Sequence, residues 1–217
     1  MILTAAHCVS NLVVAEPPRS VKVGHSNQFS PEIQEVSIES VKSHEDFGQD
    51  SKFKYLINDV ALLKLSEPLT FDEKVAPLCL PSEDTEIKEK LSLAGWGFAK
   101  LASRFVKPEQ LQYLDNLDYV PSDDCNEEYR KLSKPDFELK DQHVCASGEK
   151  GLTDGCEGDS GGSLFQAIND GEEDMRYETI GIVSTGAKSC KSEVPAVYAR
   201  VSKFVSWIED FVYENRP

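Results

Sequence analysis

Long apolar runs are missing from this sequence of 217 residues, and so are C-x-x-C cysteine pairs and any H-E-x-x-H segment. The first absence leaves no stretch that would cross a bilayer as a helix. The other two leave zinc-ribbon, dithiol-redox and zincin chemistry without support, and no metal or other cofactor is expected. Positive charge is scarce as well: 23 Lys+Arg stand against 38 Asp+Glu, a net charge of −15 at pH 7. That balance repels phosphate backbones and anionic lipid, so neither nucleic acid nor a membrane surface is expected as a partner, whereas basic partners or substrates fit. No fixed-period repeat and no flexible linker interrupts the chain, so residues 1–217 are read as one domain.

What is present suffices for a core. Ten Phe, 7 Tyr and 2 Trp accompany 40% hydrophobic residues, which argues against disorder or low complexity. The six cysteines are Cys8, Cys79, Cys125, Cys145, Cys156 and Cys190. Their even number favours disulfides and an oxidising compartment, although the sequence alone leaves every pairing open. The opening Met1-Ile2-Leu3-Thr4-Ala5-Ala6-His7-Cys8 turns polar by Ser10 and carries no export signal. The cysteines therefore read as free, or this start as other than the biological one.

Short apolar segments bounded by turn formers predict strands over 20–23, 36–41, 60–65, 91–94, 179–183 and 196–201, many with period-two alternation. The pattern indicates an all-β barrel or sandwich. Ser122 is expected to cap an acidic helix through Asp123, Asp124, Glu127 and Glu128. Phe204, Trp207, Ile208 and Phe211 form one apolar stripe on a terminal helix expected to dock on the barrel. Residues 169–174 read as an exposed acidic loop.

The segment Gly158-Asp159-Ser160-Gly161-Gly162 sets a serine among glycines, where backbone N–H groups can approach a reacting oxygen. It satisfies G-x-S-x-G, the nucleophile elbow of α/β-hydrolases, whose triad runs Ser, acid, His. All four histidines, His7, His25, His44 and His143, precede Ser160, so that order is impossible here. The subtilisin order leaves only His143 as base, since the first Asp is Asp46. The other order is His, Asp, Ser.

Thr4-Ala5-Ala6-His7-Cys8, Asn58-Asp59-Val60-Ala61-Leu62-Leu63-Lys64-Leu65 and Gly155-Cys156-Glu157-Gly158-Asp159-Ser160-Gly161-Gly162 resemble the three signature segments of trypsin-like, chymotrypsin-family serine proteases. Ala94-Gly95-Trp96-Gly97, Val183-Ser184-Thr185-Gly186 and Pro195-Ala196-Val197-Tyr198 match further landmarks, so the likeness spans the chain. It implies two packed antiparallel six-stranded β-barrels with a C-terminal helix, the first barrel here incomplete because His7 lies almost at the start. It implies Ser160 as nucleophile, His7 as general base and Asp59 as the group that orients His7, with the N–H groups of Gly158 and Ser160 as oxyanion hole.

The same resemblance places Asp154, six residues before Ser160, at the base of the primary pocket, with Gly155, Ser184, Gly186 and Ala196 as substrate-binding residues and Ser184 also as the serine beside the buried Asp, and so implies cleavage after Arg or Lys. Gly155 stands in place of a hydroxyl residue and Ala196 in place of Gly, so Arg, whose fork reaches Asp154 directly, is expected over Lys. Thr185 replaces a large aromatic that walls the neighbouring subsites, Ser163 a Pro, and His25 the Glu of calcium-binding relatives. Disulfides Cys125–Cys145 and Cys156–Cys190 are implied, with Leu91 and Gln166 at the ends of a third bridge lost as a pair. Asp159 is expected to pair with an α-amino group freed upstream, and without it to stand unpaired.

The pattern around Asn58, Pro77-Leu78-Cys79-Leu80-Pro81 and Ser206-Trp207-Ile208-Glu209 is similar to arthropod clip-domain proteases of haemolymph cascades. That implies a secreted zymogen, a protein substrate, serpin-type inhibitors, and a propeptide tethered through Cys79, with Cys8 pairing upstream as well. A digestive trypsin and a non-catalytic homologue acting as a binding module are the alternatives.

Overall fold

The computed structural model describes residues 1–11, 13–101, 104–132, 135–148, 157–168, 175–185 and 194–215. The strands are β1 Ile2–Thr4, β2 Ser20–Val23, β3 Gln34–Ser43, β4 Gly48–Gln49, β5 Leu56–Ile57, β6 Ala61–Leu65, β7 Lys90–Gly95, β8 Ala99–Leu101, β9 Arg104–Val106, β10 Gln112–Val120, β11 His143–Ser147, β12 Ser163–Ile168, β13 Arg176–Thr185 and β14 Ala196–Arg200. Two helices join them, α1 Ser122–Lys131 and α2 Val205–Glu214.

The first unit is an open four-stranded sheet in the order β1-β6-β3-β2. β6 lies inside it, paired to β1 through Ile2↔Leu63 and to β3 through Val41↔Leu63, and four of its five residues are buried. An unbroken apolar strand is what a position covered on both faces requires. The second unit is a closed barrel, β10-β11-β14-β13-β12-β7, and so has no open edge. Its interior is filled by Leu91, Leu93, Leu117, Val144, Leu164, Ile180 and Tyr198, all nearly inaccessible. The architecture is thus the expected double-barrel type with the first barrel incomplete.

A separate apolar cluster unites the two units with the terminal helix: Ala5, Val60 and Leu62 from the first meet Ile182, Ala199 and Val201 from the second, beneath Phe204 and Ile208. The expected stripe is borne out, with Trp207 and Phe211 packed against the same cluster. His44 packs edge-on to Phe204 at 5.6 Å and against Trp207 at 5.2 Å, and Trp207 Nε1–H donates to Glu45 Oε2 at 2.9 Å.

One helix start differs from expectation. Ser122 is the first residue of α1, not its cap; Pro121 occupies that place, and its carbonyl accepts the Cys125 N–H at 2.9 Å. No side-chain bond caps this end, and Asp123 and Asp124 in the first turn supply the negative charge the exposed N–H groups favour. The Cys125–Cys145 disulfide ties α1 to β11. Cys8 and Cys79 are free thiols, and the expected Cys156–Cys190 bridge lies outside the described residues, as does the 169–174 loop.

Leu91 and Gln166, where the resemblance implied the ends of a lost third bridge, lie on the neighbouring strands β7 and β12. Gln166 is 3% exposed and fully engaged: Oε1 accepts the Lys88 N–H at 2.9 Å, and Nε2 donates to Glu86 O and Glu178 Oε2. A satisfied amide is the condition under which that burial is tolerable.

Barrel packing leaves no room for a side chain at Gly181, where an added Cβ would lie 2.8 Å from Tyr198 Cβ and 3.1 Å from Val144 Cγ1. Gly181→Ala is expected to destabilise the chain by about 1–3 kcal/mol through overpacking, read as a lowered midpoint in thermal denaturation.

Candidate active site

Asp59 is 1% exposed and is separated from the interior strand β6 only by Val60. Asn58 turns the chain into it with φ +50°, a left-handed conformation that Asn tolerates, and its side-chain amide donates to Asp46 O at 2.9 Å. The carboxylate takes three donors. Oδ1 accepts the His7 backbone N–H at 2.8 Å; Oδ2 accepts His7 Nδ1–H at 2.7 Å and the Ser184 hydroxyl at 2.5 Å. With Nδ1 bound to the carboxylate, the imidazole tautomer and plane are fixed, and Nε2 is the edge left for other partners.

The serine loop is positioned by backbone geometry. Gly158 has φ +100° and Gly161 φ +79°, both suited to glycine alone. A Cβ on Gly161 would collide with Thr4 Oγ1 and lie 3.3 Å from Ala5 N and Cys8 Sγ, so the missing side chain lets the Ser160 loop press against the His7 segment. Gly161 N–H donates to Val183 O and Val183 N–H to Gly162 O, each at 2.9 Å. β13 therefore anchors the serine loop through Val183 and Asp59 through the adjacent Ser184. Ser160 itself is exposed, and among the described residues no acceptor engages the Gly158 or Ser160 N–H.

Asp159 is not left without a partner. Its Oδ1 accepts the Gly97 N–H at 2.9 Å, and a Cβ on either Gly95 or Gly97 would collide with its carboxylate. The Gly95-Trp96-Gly97 turn is thus a cradle cut to that carboxylate, a role carried by a contact 62 residues away in sequence.

The other expected residues divide in two. Ser184, expected both beside the buried Asp and among the substrate-binding residues, is 7% exposed and donates its hydroxyl to Asp59, as the first expectation requires; Ala196 is buried at the start of β14, opposite Ala146. Asp154, Gly155 and Gly186 lie outside the described residues. His143 is structural, its ring nitrogens lying 2.8 Å from Leu56 O and 3.2 Å from Lys140 O. No cluster of metal-ligating side chains occurs among the described residues.

Two features were not anticipated. Thr185 Oγ1, beside the site at the end of β13, is buried with no hydrogen-bond partner among the described residues. His7 Nε2 lies 3.5 Å from Cys8 Sγ, and among the described residues no hydrogen bond joins Ser160 Oγ to His7. Burial alone would lower the His7 pKa, but the hydrogen bond and charge of Asp59, with Cys8, outweigh it and raise the pKa to about 10.

The trypsin family matches the chain over residues 1–208, and the chain belongs to that family of serine endopeptidases. It is 32% identical over 222 residues to the serine protease Hayan of Drosophila melanogaster, covering 99% of this chain and 33% of that protein. It is 35% identical over 225 residues to phenoloxidase-activating factor 3 of Holotrichia diomphalia, covering 97% of this chain and 61% of the relative. The proclotting enzyme of Tachypleus tridentatus is 30% identical over 224 residues, covering 96% and 55%. The chain therefore spans between one third and about three fifths of the length of these relatives.

Because the folded pKa of His7 is above its unfolded value of 6.5, the pair stabilises the fold fully below pH 6.5 and loses that contribution as pH rises towards about 10. A series of thermal melts from pH 6.5 to 10 should show this decline, and Asp59→Asn should flatten it while lowering overall stability.

Proposed function

We propose that this chain is the catalytic unit of a serine endopeptidase that cleaves protein substrates after basic residues, Arg ahead of Lys, in an extracellular cascade of zymogen activation. The observation that carries the reading is the buried Asp59 carboxylate holding His7 by its Nδ1–H, with the glycine-flanked Ser160 loop packed on the same segment. In the reaction, Ser160 Oγ attacks the scissile carbonyl carbon as its proton passes to His7 Nε2, and Asp59 stabilises the imidazolium. The carbonyl oxygen, now an anion, is received by the N–H groups of Gly158 and Ser160. Collapse breaks the peptide bond, the proton moves from His7 to the leaving amine, and a water activated by His7 then hydrolyses the acyl-enzyme.

The basic-residue preference rests on Asp154, and the Arg preference on Gly155 and Ala196. The cascade role is supported by relatives named as a phenoloxidase-activating factor and a proclotting enzyme. In such a cascade, serpin-type proteins would be the inhibitors, Cys79 would tether a propeptide and Asp159 would receive the α-amino group released on activation. The Cys125–Cys145 disulfide supports an extracellular setting, and among the described residues no helix is long and apolar enough to cross a membrane.

One observation favours the alternative of a non-catalytic binding module: His7 at pKa about 10 is cationic at neutral pH, and a cation cannot accept the Ser160 proton. The proposal answers with the Cys8 contact, one of the causes of the raised value. A peptidyl-arginine phosphonate should label Ser160 at a rate that climbs as pH rises towards 10, and Cys8→Ala should move that climb to lower pH. Absence of labelling at every pH in both proteins would establish the binding module.

Ser160→Ala is expected to lower kcat on the order of 10⁶-fold with the fold intact. Matched Arg and Lys peptide substrates should show a clear Arg advantage in kcat/KM, and equal turnover would reject the Arg preference.

A further inference from the structure

Leu56 carries a carbonyl that its own hairpin leaves unserved. β4 and β5 pair Gln49 with Leu56, and on the neighbouring rung Asp50 N–H donates to Tyr55 O at 2.8 Å. Antiparallel rungs alternate between bonded and non-bonded pairs, so Leu56 falls on a non-bonded rung and turns its C=O away from β4. The group it meets belongs to the second unit: His143 Nε2 lies 2.8 Å from Leu56 O. His143 is 3% exposed, and burial holds its pKa below the ordinary 6.5, so at pH 7 the ring is neutral and has one N–H to give. Lys140 O, 3.2 Å from Nδ1, already accepts the His143 backbone N–H at 3.1 Å. The Leu56 oxygen has the shorter contact and the greater need, which puts the proton on Nε2. Tyr55 steadies the ring, lying edge-on to it at 5.1 Å, and its own hydroxyl donates to Glu138 O at 2.9 Å.

This bond joins the two halves of the site. On one side, Asp59 stands three residues after Leu56, beyond a turn stiffened by two bonds. Val60 N–H donates to Asn58 O and Asn58 Nδ2–H to Asp46 O, each at 2.9 Å. On the other side, His143 pairs with Ala199 across β11 and β14, and Tyr198 with Val183 across β14 and β13. Val183 O accepts the Gly161 N–H, next to Ser160. Ser184 grips Asp59 at its carboxylate, whereas His143 grips the same segment at its main chain. A single attachment would let the carboxylate pivot. Two set its direction, and with it the plane of the His7 ring.

We infer that His143 is a positioning residue for the reaction: its Nε2–H latches the Leu56 carbonyl to the barrel that carries Ser160, and so fixes the Asp59 and His7 pair relative to Ser160 Oγ. The inference rests on the reading of Ser160, His7 and Asp59 as the reacting groups. His143 itself touches no reacting atom.

The test uses this chain labelled with nitrogen-15 at its four histidines. At pH 7 the NMR spectrum should show a slowly exchanging His143 Nε2–H with a bare Nδ1, and a low-field His7 Nδ1–H. A His143 ring protonated on Nδ1 alone overturns the latch, whether or not any variant folds. His143→Leu removes the donor, and His143→Gln keeps one within reach of Leu56 O. At saturating probe, the peptidyl-arginine phosphonate should label Ser160 about tenfold more slowly in His143→Leu across the pH series, and His143→Gln should recover most of that loss. The low-field His7 signal should move in the first variant and return in the second. Tyr55→Phe is the control, since it removes a different bond between the same hairpin and the second unit. A lowered thermal midpoint without slower labelling supports the latch; slowing equal to that of His143→Leu overturns it. Unchanged labelling in folded His143→Leu overturns it as well. If the unsubstituted chain is not labelled at any pH, the reading of the reacting groups fails, and the His7 signal alone decides the latch: moved by Leu and restored by Gln it stands, unmoved it falls.

Discussion

Everything at the site depends on how the buried charge of Asp59 is satisfied. An anion at 1% exposure costs several kcal/mol unless donors replace the lost water, and this one receives three, two from His7 and one from Ser184. The donors come from distant parts of the chain, the turn after β1 and the end of β13. Satisfying one carboxylate therefore fixes the first unit against the second. It also sets the His7 ring, because the oxygen that neutralises the burial penalty is the one that binds Nδ1. Stability and catalytic geometry are here the same hydrogen bonds, so a change that relaxes the packing of Val60, Leu62 and Ile182 reaches the imidazole without touching it.

The strands with clean alternation or unbroken apolar runs, β2, β6, β7 and β14, were legible in the sequence because their patterns answer directly to burial. β10 was not, and the reason is local. Gln112, Asp115, Asn116 and Asp118 break the alternation, and the register shifts between Leu114 and Leu117, with Asn116 at φ +61°. The Ser122 cap was misplaced by one position: Pro121 precedes α1, its carbonyl accepts the Cys125 N–H as any cap residue's does, and the first turn is served by the charge of Asp123 and Asp124 instead of a capping side chain. The pairing of His7 with Asp59 was legible through a family likeness and not through local chemistry, since an isolated His or Asp says nothing about partners 52 residues away. The contact of His7 with its chain neighbour Cys8 and the Thr185 hydroxyl, buried without a partner among the described residues, were not legible at all; no pattern of residue types specifies either.

Gln166 shows how one buried polar side chain can hold the barrel's shape. An amide with every donor and acceptor engaged fixes the loop at Glu86 and Lys88 to β12 and β13 without a covalent link. Such a network gives geometric specificity through its demand for exact partners, and it loses that specificity as soon as one is removed.

Helix α2 adds a constraint of another kind, one of timing. An element that follows both sheets in the chain supplies Phe204 and Ile208 to a cluster that Ala5 needs for its own burial, and Trp207 clasps His44 and Glu45. A chain emerging from its N-terminus must keep that apolar surface open until residues beyond 204 are available, so the first unit spends its early life exposed and prone to wrong partners. Closure of the β1-β6-β3-β2 sheet in this sense waits on α2, and a stall in synthesis before residue 204 would leave those strands, not the missing helix, as the aggregation hazard.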